Sequence, residues 1–215
     1  MKGKVVIITG SSIGIGRKMA VLMGQKGAKI VLNARNAKRL ETTRKALANQ
    51  GLEVFAVVGD VSKEEDCEQL IKATIAHYGK LDVLVNNAGI AAEGTVEGAS
   101  PSVFKKVMDV NYLGSVYPTH YALPHLRASK GNVLFISSAA GIHGIPNFAM
   151  YSASKMALTA LAESLKIELH GTGVHVGIAY VGFTENDSQK TIYDAQGNIV
   201  PQPSRDFITP EPVEV

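Results

Sequence analysis

The chain has 215 residues, 46% of them hydrophobic and 19% charged, with a net charge of +3. That length supports one domain with a substantial core, and the composition excludes a disordered chain. The basic residues are dispersed, gathering only near Arg35, Lys38 and Arg39, which argues against a nucleic-acid interface.

Lys4–Thr9 (KVVIIT) is β-branched and reads as a buried parallel strand. It starts so near the N-terminus that no signal peptide is expected. The run Gly10-Ser-Ser-Ile-Gly14-Ile-Gly16 follows, and an amphipathic helix covers Gly14 to Gln25, ended by Gly27. Strand, glycine-rich turn and helix form the context of a dinucleotide-binding turn, in which glycines let backbone N–H groups approach a pyrophosphate. The spacing is G-x-x-x-G-x-G rather than G-x-G-x-x-G, and a purely structural tight turn is the alternative. Lys29–Asn33 is the second strand. An acidic residue at its end would bind the ribose 2′-hydroxyl of NAD; here Asn33, Ala34 and Arg35 stand instead. A guanidinium suits phosphate, so Arg35 points to the 2′-phosphate of NADP(H), with NAD(H) as the lesser choice. Arg39, or a solvated surface arginine with no contact, is the alternative.

A helix from Ala37 to Asn49 leads to Glu53–Val58, the third strand. Asp60, after Gly59, stands where it meets an adenine amino group or else belongs to the cap of the next helix, Lys63–Tyr78. Cys67 lies in that helix as a small packing residue. Being the only cysteine, it excludes an internal disulfide, and no Cys/His spacing suggests a metal. Leu81–Val85 is strand four and runs into Asn86-Asn87-Ala88-Gly89, whose amides tie strand ends or line a cleft at the carboxyl edge of the sheet. After the loop Ile90–Ala99, Ser100 and Pro101 start a helix that reaches Ser129, carries Asn111 and is kinked or tightened at Pro118. Val133–Ser137 is strand five, Gly141–Phe148 a loop, Ala149–His170 a strong helix and Val174–Ala179 strand six. No run approaches the ~20 apolar residues of a membrane helix. A soluble, reducing, cytoplasmic setting is expected.

Alternating strands and helices predict an α/β fold, a doubly wound parallel sheet of Rossmann-like form with helices on both faces. Residues 1–182 hold the dinucleotide and the chemistry. From Gly182 on, four prolines and patchy periodicity suggest a substrate loop or lid and the start of a further helix, in the same domain.

Tyr151 and Lys155 are four apart, on one face of the helix that carries them. A phenol has a reference pKa of about 10, and a fixed ammonium beside it favours the phenolate. The pair is a candidate proton donor and acceptor, with the Ser138 hydroxyl placed to hold a carbonyl oxygen.

Taken in order, Thr9-Gly10-x-x-x-Gly14-Ile15-Gly16, Asp60-Val61, Asn86-Asn87-Ala88-Gly89, Asn111, Ser138 and Tyr151-x-x-x-Lys155 resemble the short-chain dehydrogenase/reductase family over residues 4–185. The resemblance implies an oxidoreductase in which Tyr151 is the general acid and Lys155 lowers its pKa and bonds the nicotinamide ribose. Ser138 would bond the substrate oxygen, Ser137 falling one position off the spacing. Asn111 would hold a relay water through its helix backbone. Gly10, Ser12, Gly14, Ile15, Gly16, Arg35, Asp60, Val61, Asn87, Ala88, Gly89, Gly182 and Thr184 would border the cofactor with Tyr151 and Lys155. A homodimer or homotetramer is implied. Two departures stand out. Val181 replaces the family's proline before Gly182, and the chain stops at residue 215, where the family continues into a helix and a seventh strand. The C-terminal part therefore reads as incomplete, which leaves membrane association through a missing C-terminus open.

Few charges in the Gly141–Phe148 loop favour a lipophilic ketone. The segments Gly182-Phe-Thr-Glu-Asn-Asp187 and Tyr193-Asp-Ala-Gln-Gly197 suggest members acting on 3-ketodihydrosphingosine. A 3-oxoacyl-carrier-protein reductase and a non-catalytic dinucleotide sensor are the alternatives.

Overall fold

The computed structural model describes residues 1–182 and 191–202. Strands β1 (Val5–Thr9), β2 (Lys29–Ala34), β3 (Val54–Val58), β4 (Val83–Asn86), β5 (Asn132–Ser138) and β6 (His175–Val181) form one sheet in the order β3-β2-β1-β4-β5-β6. Every pairing in it is parallel. The central strand β1 shows why these residues choose a strand. Val5, Val6, Ile7 and Ile8 are fully buried, alternately against the two faces. Burial of each such side chain contributes about 1.5–3 kcal/mol, which only a sheet covered on both sides provides.

One face is covered by α3 (Glu64–Tyr78), α5 (Gly114–Ser129) and α6 (Ala149–Glu168), which pack Leu70, Leu126 and Leu158 over Ile7, Leu84 and Phe135. The other is covered by α1 (Gly14–Gln25) and α2 (Ala37–Ala48), which pack Met19, Leu40 and Leu47 over Val6, Ile8 and Leu32. The strand order reverses between β1 and β4, and a ligand crevice forms outside the carboxyl ends at such a point.

Two details differ from the sequence expectation. The helix expected from Ser100 to Ser129 is three pieces: α4 (Pro101–Met108), a π turn at Asp109–Leu113 and α5. The departure from α geometry lies about two turns before Pro118, at Asn111, where the Gly114 N–H reaches the Asp109 carbonyl. Single π turns of this kind favour functional sites. The second detail is a hairpin, β7 (Thr191–Tyr193) with β8 (Ile199–Pro201), in the stretch expected to form a loop. Its turn is held by Asp194, whose carboxylate accepts the N–H groups of Gln196 at 2.9 Å and Asn198 at 2.8 Å. Among the described residues no helix is long and apolar enough to cross a membrane.

Candidate active site

The glycine-rich turn leaves β1 with Gly10 at φ +63° and Gly14 at φ +56°, a region that L side chains rarely adopt. Space is also denied. A Cβ on Gly10 would stand 2.7 Å from the Ala88 Cα, and one on Gly16 would stand 2.5 Å from Asn87 Nδ2. Asn87 explains the closeness, since its Nδ2 donates to the Thr9 carbonyl at 2.8 Å and to the Gly10 carbonyl at 3.1 Å. The Thr9 hydroxyl accepts the N–H groups of Asn87 and Ala88, each at 3.0 Å. Asn87 and Ala88 thus brace the turn. Ser12 is buried and gives its carbonyl to Thr43 Oγ1. Ile15 packs half-buried against the α1–α2 side of the core. Ile13, at the N-cap of α1, makes no side-chain cap, and the first turn carries no acid. A helix start built in this way suits a pyrophosphate.

At the end of β2, Asn33 is pinned by Ser11 Oγ to its N–H at 3.0 Å, and its Nδ2 donates to the Gly59 carbonyl at 3.3 Å. Its Oδ1 is buried with no partner among the described residues. Arg35 follows, exposed, with Nη2 at 3.5 Å from the Tyr193 hydroxyl. Asp60 Oδ1 accepts from the Ser62 N–H at 3.0 Å and the Ser62 hydroxyl at 2.8 Å, and the N-cap of α3 is Lys63. Asp60 therefore shapes the turn into α3. Val61 is buried against Gly114, where a Cβ would come 2.7 Å from Val61 Cγ2. Burial, with Asp66, Asp60 and Glu64 nearby, pushes the Cys67 thiol up to about 12, as suits a packing residue.

The second half of the site lies on β5, the π turn and α6. Lys155 is 5% exposed, and its Nζ donates to the Ile136 carbonyl at 2.9 Å and stands 5.8 Å from the centre of the Tyr151 ring. The Asn111 side chain is fully buried and committed. Its Oδ1 accepts the Ile90 N–H at 2.8 Å, and its Nδ2 donates to the Ile90 carbonyl and to Ser154 Oγ, both at 2.9 Å. Ser154 Oγ in turn donates to the Tyr151 carbonyl at 2.7 Å. Gly89 joins the two groups: a Cβ there would lie 3.4 Å from Asn111 Oδ1 and 3.5 Å from Lys155 Nζ. Ser138 ends β5 opposite Val181 and accepts the Ala140 N–H at 3.3 Å, while Ser137 is buried and turns to the Lys155 carbonyl. Gly182 follows β6, and a Cβ there would meet nothing within 4 Å among the described residues; Thr184 lies outside them.

Sequence reasoning missed Tyr193. It is 7% exposed, and the Lys106 Nζ stands 4.0 Å from its ring centre. Burial pushes its phenol up, but the Arg35 hydrogen bond and the charges of Arg35 and Lys106 outweigh that and hold it below the usual tyrosine value. The signal in the sequence was Asp194-Ala-Gln-Gly-Asn198, a turn flanked by Thr191-Ile-Tyr193 and Ile199-Val-Pro201.

A parallel sheet whose switch point carries a glycine-rich helix start, with a Tyr-x-x-x-Lys helix across the crevice, defines a doubly wound α/β protein of the dinucleotide-binding kind. The chain belongs to the short chain dehydrogenase family, whose sequence profile matches residues 4–197. It is 40% identical over 218 residues to an 11-beta-hydroxysteroid dehydrogenase of Pinus massoniana, with 99% of this chain and 61% of the relative covered. It is 43% identical over 188 residues to the 11-beta-hydroxysteroid dehydrogenase-like 4A of Arabidopsis thaliana, covering 86% and 62%. The chain thus spans about three fifths of the length of these relatives. A short chain dehydrogenase/reductase from Burkholderia phymatum in complex with NAD superposes with a TM-score of 0.83 at 30% identity, covering 85% of this chain and 66% of that one. An actinorhodin polyketide ketoreductase with NADPH superposes with a TM-score of 0.83 at 31% identity, covering 86% and 73%. These relatives carry hydroxysteroid names, so the likeness to 3-ketodihydrosphingosine reductases read from residues 182–197 is not supported. Both NAD and NADPH occur among the structural neighbours.

Proposed function

We propose that the chain is the catalytic core of an NADP(H)-preferring oxidoreductase acting on a lipophilic ketone or its alcohol, of which a hydroxysteroid is the leading class. The observation that carries this reading is the buried Lys155 ammonium, fixed by the Ile136 carbonyl beside Tyr151 and against Gly89. A sensor of dinucleotides has no use for such a pair.

The residues fit a nicotinamide dinucleotide: the turn at Gly10 to Gly16 admits no side chain at two of its positions, and the first turn of α1 carries no acid to repel a pyrophosphate. When bound, that group supplies or accepts the hydride at the substrate carbon. The chain's own residues do the rest. Ser138 donates its hydroxyl proton in a hydrogen bond to the carbonyl oxygen, since its acceptor side already takes Ala140. Tyr151 delivers its phenolic proton to that oxygen as charge develops there. Lys155 stabilises the phenolate left behind. Asn111 anchors the path for proton return: its side chain locks the loop after β4 to α6, and its carbonyl, at the π turn, takes Ser115 Oγ at 2.9 Å. Asp60 and Val61 border the adenine, and Arg35 meets the 2′-phosphate. Exposed Met156 and Ile167 on α6 support a homo-oligomer.

The test is kinetic. Tyr151→Phe retains NADPH binding and loses turnover of ketosteroids by on the order of a hundredfold or more. Arg35→Ala weakens NADPH by about tenfold and leaves NADH nearly unchanged. Turnover that survives Tyr151→Phe, or an equal loss for both cofactors, would sink the corresponding half of the proposal. The likeness to a polyketide ketoreductase favours a second reading, reduction of a carrier-bound 3-oxoacyl thioester. Activity on such thioesters and none on free lipophilic ketones decides for it.

A further inference from the structure

We infer that Tyr193 and Lys106 join Arg35 in a receptor for the 2′-phosphate of NADP(H), so that the hairpin β7–β8 and α4 help to set cofactor choice. The inference rests on the NADP(H) reading and adds two residues to it. Arg35 stands directly after β2 at the carboxyl edge of the sheet, where the adenosine ribose is read in doubly wound folds. Three parts of the chain far apart in sequence meet there. Tyr193 is held by its backbone, its N–H on the Ala91 carbonyl and its carbonyl on the Glu93 N–H, both at 2.9 Å. Its ring packs among Ala92, Val103 and Met150. The hydroxyl is therefore presented at the end of a buried and fixed ring. It accepts from Arg35 and has its own proton to give.

Lys106, on α4, brings a second cation over the same ring at 4.0 Å. Among the described residues neither Arg35 nor Lys106 forms an ion pair with a carboxylate. Two uncompensated cations and a hydroxyl donor around one point are the groups that a phosphate monoester dianion selects, through charge-assisted hydrogen bonds. The contact between Arg35 and Tyr193 is long at 3.5 Å, so little is given up when each turns to a phosphate oxygen. A dinucleotide without that phosphate offers these groups nothing.

The test is equilibrium binding of NADPH, NADH, 2′,5′-ADP and 5′-AMP, with substrate absent. Tyr193→Phe and Lys106→Met each weaken NADPH and 2′,5′-ADP by about tenfold, and leave NADH and 5′-AMP within about twofold. Unchanged NADH binding shows that the variants fold. In an Arg35→Ala background, Tyr193→Phe still costs NADPH severalfold. If only Arg35→Ala removes the preference for NADPH, the NADP(H) reading stands and the inference falls. If Tyr193→Phe has no effect once Arg35 is gone, the phenol merely braces Arg35, and direct contact is overturned. If the unaltered protein shows no preference for NADPH, both fall.

Discussion

Ser137 and Ser138 are neighbours with opposite surroundings, and the sheet decides which is which. Successive side chains of a strand point to opposite faces. Ser137 is buried, donates to the Lys155 carbonyl at 3.3 Å and is crowded by Gly141, where any Cβ would strike its hydroxyl. Ser138 is half-buried at the carboxyl edge, with only the Ala140 N–H on its oxygen among the described residues. Ser138→Ala is expected to lower turnover on the order of a hundredfold with melting temperature unchanged. Ser137→Ala reverses the pattern, costing about 1 kcal/mol of stability with turnover kept. Matched kinetics and urea melts of both variants check the division; a large kinetic loss in Ser137→Ala alone exchanges the roles. At this scale the sequence was informative because Tyr151 and Lys155 share a helix face. The resemblance singled out Asn111, but the sequence was silent on where its side chain goes, because its partners Ile90 and Ser154 lie 21 and 43 residues away.

The strands and helices of the sheet were legible because their signals are local. β1 is a run of β-branched residues buried on both faces, and α4 opens with a Ser100 cap and Pro101. The hairpin and the π turn were not, because tertiary partners make them. Three-residue strands carry almost no pattern, and β7 gains its place by pairing with the loop at Ala92. The amino edge of the sheet, opposite the site, is tied by a device with a pH signature. Asp82 is 3% exposed; its carboxylate accepts from Lys4 at 2.8 Å and from the Val5 N–H at 2.9 Å, and it pairs with Lys80 at 2.9 Å. Burial pushes its carboxyl up, but the bonds from Lys4, Lys80 and Val5 outweigh that and hold it below the usual value. A depressed folded pKa stabilises fully above the unfolded pKa of about 4, and the contribution is lost as pH falls through the folded value. Asp82→Asn should therefore be less stable by about 1–3 kcal/mol at pH 7, the gap closing below about pH 4. A gap that stays constant across that range in urea titrations removes the carboxylate from the account.

The site draws on the whole molecule, since β1 and β2 supply the turn and Arg35 while β4, β5 and α6 supply Asn87, Ser138 and Tyr151. These groups come together only when the sheet is complete, so a dinucleotide binds the folded chain and has no site on the unfolded one. Linkage then converts affinity into stability: ligand at a hundredfold above its Kd adds about 2.7 kcal/mol. For a chain of this size each kcal/mol raises Tm by about 2–4 °C, so NADPH at that concentration should raise Tm by about 5–10 °C. At the same molar concentration NADH should raise it less, because it leaves Arg35 without a phosphate. Tyr151→Phe should keep the full shift under the proposed function, in which the phenol serves the reaction and the turn and Lys155 hold the dinucleotide. Thermal melts over a range of cofactor concentrations read all three. A shift from NADPH that vanishes with Tyr151→Phe would move Tyr151 from proton transfer to cofactor binding, and no shift from either dinucleotide would take the cofactor out of the crevice between β1 and β4.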